Sequence, residues 1–210
     1  MAIFKVARKR VDDVRSNTWN GYDCESVKEV ICKYRTAEDL DNLMSYCMRK
    51  ASDILPVNVD LYSPEAVASQ FLYIQRCSGK QLDTKAYHYI LSFDTQKYEN
   101  FVSVDDIKAI MAFFAHDFLQ KHQAVLCLHT NKKTHYHVHI IVDPVSFYNY
   151  HKFRNNMQWM KNRLAFEILN YFHIALEGVS YYDERWKLRE SIDQTGIDLY
   201  QPLIGTRYYL

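Results

Sequence analysis

The sequence predicts an α+β fold, a central antiparallel sheet with helices packed on one side of it. Three observations carry this reading. Residues 124–129 (AVLCLH) and 135–143 (HYHVHIIVD) alternate as neighbouring strands across the polar connection TNKKT. Two segments with apolar positions at helical spacing open on capping pairs, Thr36 with Asp39 and Ser103 with Asp106. The order of elements mixes hairpins with crossing helices, which suits a sheet covered by helices.

The elements follow in chain order. Residues 2–7 (AIFKVA) read as a short first strand, and residues 17–35 as a short helix around Val27, Val30 and Ile31. A better helix spans 36–48, where Leu40, Leu43, Met44 and Cys47 fall at the i, i+3, i+4, i+7 spacing of one face. Tyr46 lies roughly 110° from the centre of that stripe, at its edge or beyond it, and is as readily presented as packed. Residues 86–93 (AYHYILSF) read as a buried strand, with Tyr87, Tyr89, Leu91 and Phe93 on one face and His88 and Ile90 on the other. A second helix starts at Ser103 and carries the stripe Ile107, Ile110, Met111, Phe114 and Phe118. The two hairpin strands come next, then a long amphipathic helix over 157–176 and another around 183–193. Together these describe a single domain over 1–210 with a C-terminal helical part at about 157–195, without repeats or low-complexity tracts.

Composition narrows the class. Only 5 Gly and 4 Pro argue against linker-rich or disordered stretches. The net charge of +1 does not announce a nucleic-acid partner. Cations nevertheless gather at Lys5, Arg8, Lys9, Arg10 and Arg15, and again at Lys132, Lys133, Lys152, Arg154, Lys161 and Arg163 around the histidine segment. Such groups serve either as solvated surface or as phosphate contacts. The 17 tyrosines serve as core or as stacking platforms for unpaired bases. Five cysteines without a Cys-x-x-Cys pair, no signal peptide and no membrane-length apolar run lead to the expectation of a cytoplasmic protein with no membrane insertion.

The most unusual stretch is LHTNKKTHYHVHIIVDPV, which holds four of the chain's 9 histidines. Alternation puts His135, His137 and His139 on one face of a strand and Tyr136, Val138, Ile140 and Val142 on the other. A tight hairpin through TNKKT pairs His129 opposite His135 and adds it to the histidine face, with His137 as a diagonal neighbour. A lone strand histidine is usually an ordinary half-exposed residue. Clustered imidazoles repel when protonated, and a shared cation relieves that. The helical His-Glu-x-x-His pattern of zinc proteases and the Cys-x-x-Cys of zinc deaminases are both absent. A strand-borne set with open coordination positions suits a Lewis acid acting on a phosphoryl or carbonyl oxygen.

His137-Val-His139 followed by IIVDPV is similar to the His-hydrophobe-His strand of the HUH endonucleases, which have a ferredoxin- or RRM-like sheet. The surrounding blocks resemble one branch of them, the relaxase and mobilisation nucleases of plasmids and integrative elements. AYHYILSF resembles that family's Tyr-His-x-x-x-Ser-Phe strand, and LDNLMSYCMRKA its tyrosine-bearing helix. The histidine hairpin resembles its His-x-Asp/Asn…His-x-His strand pair, and RWKLRESID a recurring tail of the domain. The chain departs from the pattern at Asn131, where Asp is common, and at Asp143-Pro144, where Asn commonly follows the apolar run.

The resemblance implies site- and strand-specific nicking and rejoining of DNA at a transfer origin, for conjugative transfer or mobilisation. It implies a divalent cation, Mg or Mn, held by His129, His137 and His139, with His135 replacing or assisting His129. His88 is either further support for that site or a core histidine. Tyr46 is implied as the nucleophile, with Tyr22 and Tyr34 as rivals, and its attack leaves a 5′-phosphotyrosine and a free 3′-hydroxyl. Arg49, Lys50, Lys132 and Lys133 are candidate DNA contacts. The implied partners are single-stranded DNA and accessory relaxosome proteins. The competing expectations are a rolling-circle initiator or single-strand transposase of the same class, a non-catalytic DNA-binding protein with the same fold, and a metal-dependent hydrolase unrelated to DNA. A tyrosine placed before the histidines, and the RWKLRESID tail, favour the relaxase.

Overall fold

A computed structural model describes residues 2–6, 34–94, 102–131, 135–153 and 157–172. The expected helix within 17–35, the one around 183–193, Tyr22, Lys132, Lys133 and the RWKLRESID tail all lie outside the described residues. The elements are β1 (Ala2–Val6), α1 (Ala37–Arg49), β2 (Asp53–Val57), α2 (Pro64–Ser78), β3 (Tyr87–Asp94), α3 (Val104–Phe118), β4 (His122–His129), β5 (His135–Ser146) and α4 (Met157–Phe172). Five strands form one sheet in the order β1-β3-β5-β4-β2, with every neighbouring pair antiparallel.

Both expected capping boxes are present. Thr36 and Asp39, and likewise Ser103 and Asp106, exchange side-chain to backbone hydrogen bonds at the starts of α1 and α3. The predicted stripe of α1 is buried, and its off-stripe residue Tyr46 is 50% exposed. Two elements, β2 and α2, are absent from the sequence reading. β2 is a five-residue edge strand interrupted by Pro56, a residue that a central strand does not tolerate. α2 carries the usual start and stop signals, Ser63 capping Pro64 and a left-handed Gly79 at its end.

The helices cover both faces of the sheet, not one. On the first face, Leu126 and Leu128 of β4 and Val138, Ile140 and Val142 of β5 pack with Tyr89, Leu91 and Phe93 against α3 and α4. On the second face, Val125, Cys127 and Ile141 pack against Leu40, Leu43, Met44, Cys47 and Met48 of α1 and Val67, Ala68 and Phe71 of α2. Burying each such aliphatic side chain contributes about 1.5–3 kcal/mol. β5 is buried on both faces because it is the middle strand, which explains its unbroken apolar run.

The hairpin register also departs from expectation. His129 stands opposite His137, not His135, and β5 runs two residues beyond the end of β4, where His135 instead faces Asp94 of β3. The strand period is two, so this slip leaves every histidine on its predicted face. It does change which imidazoles meet. His137 becomes the direct neighbour of His129, with His139 one step further in.

Candidate metal and tyrosine site

The histidines continue the second face of the sheet. Along β4 that face reads Val125, Cys127, His129, and along β5 it reads Ile141, His139, His137, so the apolar floor under α1 and α2 gives way to imidazoles at one end. Chain connectivity brings α1 over that end. α1 leads through residues 50–52 into β2, and β2 pairs with β4 so that Asp53 stands opposite Leu128. Ser52 clamps this corner, its N–H and hydroxyl both donating to the Leu128 carbonyl at 2.8 and 3.1 Å. The last turns of α1 therefore lie beside His129.

One ring nitrogen from each of His129, His137 and His139 falls within a set whose members lie within 4.8 Å of one another. His129 and His139 are 2% and 4% exposed, and His137 is half-buried. Hydrogen bonds orient two of the rings. His129 Nε2 donates to the Cys47 carbonyl of α1 at 2.7 Å, which leaves Nδ1 with its lone pair. His139 Nδ1 lies 2.8 Å from His88 Nε2, so its Nε2 is turned to the other side of the ring. Nδ1 of His137 and Nε2 of His139 are buried and take part in no hydrogen bond among the described residues. Two imidazoles held from behind and a third beside them, with one ring nitrogen of each brought close together, are a donor set that fits a divalent cation.

Tyr46 borders this set. Its ring centroid lies 5.7 Å from that of His139 and 6.3 Å from that of His129. Lys50 Nζ sits 4.7 Å from the same tyrosine ring. Arg49 instead pairs with Glu65 of α2 at 3.1 Å, both side chains being exposed. His135 is half-buried at 5.5 Å from the His137 ring, outside the converging set.

Tyr34, the other described tyrosine considered as a nucleophile, is 4% exposed. Its hydroxyl is hydrogen-bonded to His88 Nδ1 at 2.7 Å, and burial pushes its ionisation well above the usual tyrosine range. His88 is thus both buried and joined to the site, lying between Tyr34 and His139. Cys47 forms a second close group with His88 and His139, although the sequence reading assigned it only to the apolar stripe of α1. Cys127, opposite His139 in the sheet, is a neutral thiol, burial pushing it up to about 12.

Further along the same face of β5, Asp143 is fully buried under α2. Its Oδ1 accepts from Gln75 Nε2 at 3.2 Å and from the Val145 N–H at 2.9 Å. Burial pushes this carboxyl up to about 7. Among the described residues no helix is long and apolar enough to cross a membrane.

Compared with known families, residues 46–170 match the family described as Relaxase: MobA/VirD2-like, nuclease domain. That is more than half of the 210-residue chain, and the match begins at Tyr46. No curated protein and no solved structure matches the chain.

Proposed function

The chain belongs to the relaxases, in their MobA/VirD2-like nuclease-domain family, and is a DNA nickase of conjugative mobilisation; from this premise we propose that Tyr46 cuts and rejoins one strand at a transfer origin by transesterification. The observation that carries the reading is the placement of a half-exposed tyrosine 5.7 Å, ring to ring, from one of three converging imidazoles.

In this proposal the Tyr46 hydroxyl oxygen attacks the scissile phosphorus. An O–P bond forms to the tyrosine, the P–O3′ bond breaks, the phenolic proton is lost, and the departing 3′-oxygen gains a proton. The downstream strand is left on the protein as a 5′-phosphotyrosine. The ester keeps the energy needed for rejoining, so no nucleotide cofactor is required. His129, His137 and His139 would hold a divalent cation, Mg or Mn, and that cation supplies Lewis-acid withdrawal of charge from the phosphate oxygens. Lys50, beside the Tyr46 ring, offers a charge to the DNA backbone, and Arg49 does so once released from its exposed pair with Glu65. His135, next to His137, lends support at the mouth of the set. Accessory relaxosome proteins remain part of the proposal.

Tyr34 is a poor nucleophile by comparison, being buried, hydrogen-bonded and raised in ionisation. The test uses single strands tiled across the transfer-origin region, labelled at the 3′ end and incubated with Mn²⁺. The wild-type chain is expected to retain label covalently, while Tyr46→Phe loses the adduct by at least about a thousandfold, or ~4 kcal/mol of barrier. Tyr46 is half-exposed, so folding is expected to be unchanged. An adduct that survives Tyr46→Phe refutes the assignment.

A further inference from the structure

Resting on the metal reading above, we propose that His88 and Tyr34 are positioning residues for the metal ligand His139, forming a two-link relay that fixes its tautomer and ring orientation. The relay is continuous and buried. Tyr34 Oη lies 2.7 Å from His88 Nδ1, and His88 Nε2 lies 2.8 Å from His139 Nδ1. All three side chains are at most 5% exposed.

The direction of each proton follows from valence. A neutral imidazole has one N–H and one lone pair. When Nε2 of His139 faces the cation, its proton sits on Nδ1 and is donated to Nε2 of His88. That leaves the single proton of His88 on Nδ1, which is donated to the Tyr34 hydroxyl oxygen. Each link dictates the next.

Tyr34 is held for this task. Its backbone carbonyl accepts from the Lys85 N–H at 2.6 Å and from the Thr84 hydroxyl at 3.2 Å, just before the strand that carries His88. The other oriented ligand, His129, has a main-chain acceptor behind it, the Cys47 carbonyl. His139 instead has side chains behind it, and its two links span 51 residues from His139 to His88 and 54 from His88 to Tyr34. Residues behind metal ligands are ordinarily carboxylates, carbonyls or water. Here an imidazole and a phenol would serve, without adding a negative charge to a buried site.

The test is isothermal titration of Mn²⁺ into the full 210-residue chain, with the thermal stability of the metal-free variants measured alongside. His88→Leu is expected to weaken Mn²⁺ binding about 10- to 100-fold. Tyr34→Phe, which removes one hydroxyl, is expected to weaken it about two- to tenfold. His88→Gln, whose side-chain carbonyl can accept from Nδ1–H, should recover most of the loss. A merely structural role would lower thermal stability without this order of affinities. If Tyr34→Phe and His88→Leu bind Mn²⁺ like the wild type while His137→Ala does not, the relay is wrong and the metal reading stands. If the wild type binds no Mn²⁺, or His137→Ala binds it equally well, the metal reading falls and takes the relay with it. Nitrogen-proton correlation of the histidine rings in the Mg²⁺-loaded chain reads the tautomer directly. A proton on Nδ1 of His88 is expected, and one on Nε2 overturns the proposal.

Discussion

The same two strands, β4 and β5, present different chemistry to their two faces. Towards α3 and α4 they offer Leu126, Leu128, Val138, Ile140 and Val142, all at most 1% exposed and all apolar. Towards α1 and α2 they offer Val125, Cys127 and Ile141, then His129, His137 and His139 at one end and Asp143 at the other. Buried polar groups cost free energy unless they are hydrogen-bonded or bound to something. The first face is therefore built for stability. The second gives up part of that stability to place imidazoles, a phenol and a carboxyl beneath two helices. Because the faces alternate residue by residue, adjacent substitutions on one strand should separate the two roles.

His137→Ala should give the largest effect. It is expected to lower cleavage about a thousandfold, by removing one donor of the metal set. Its chemical denaturation midpoint without metal should stay close to wild type, because the side chain is only half-buried. A comparable fall in both quantities would erase the distinction between the faces. Ile140→Ala, three residues on and on the other face, should do the reverse. It is expected to cost about 2–5 kcal/mol of stability in denaturant unfolding. The Mn²⁺ affinity of its folded form should be unchanged.

Asp143→Asn sharpens the comparison further. Burial raises this carboxyl to about 7, so the folded chain holds the proton more tightly than the unfolded chain does. Its contribution to stability is therefore fully present below the unfolded value of about 3.9 and is lost as pH rises through about 7. Asparagine removes that loss, since its amide does not titrate and its Oδ1 can still accept from Gln75 Nε2 and the Val145 N–H. The variant should be more stable than wild type at pH 7.5, by about 1–3 kcal/mol. The advantage should shrink towards pH 4. An advantage that grows as pH falls would contradict the assigned shift.

Much of this division could be read from local sequence. Capping pairs at Thr36 and Ser103 located α1 and α3, and strand alternation separated His137 from Val138 before any fold was known. The off-stripe angle of Tyr46 anticipated its exposure, because helix geometry is set by neighbours in the chain. What was missed depends on distant contacts or on loop length. The TNKKT connection does not fix where pairing begins, so the register came out two residues away from the expected one. β2 hides behind Pro56, and its edge position is known only once β4 is in place. The expectation of helices on one side failed because α1 packs on the face opposite α3 and α4, where α2 joins it; the Ser63-Pro64 start and Gly79 stop of α2 were legible signals. The Tyr34–His88–His139 chain joins three separate segments and leaves no local signature.

The most direct measurement of the central claim is identification of the residue that carries the DNA. The wild-type adduct formed on single-stranded origin DNA with Mn²⁺ would be digested with protease and nuclease, and the nucleotide-modified peptide sequenced by mass spectrometry. The expected result is a single modified peptide with the nucleotide on Tyr46, lost when His137 is replaced by Ala. A nucleotide on any other tyrosine, or an adduct that persists in His137→Ala, would contradict the claim that the histidine end of this sheet face serves Tyr46.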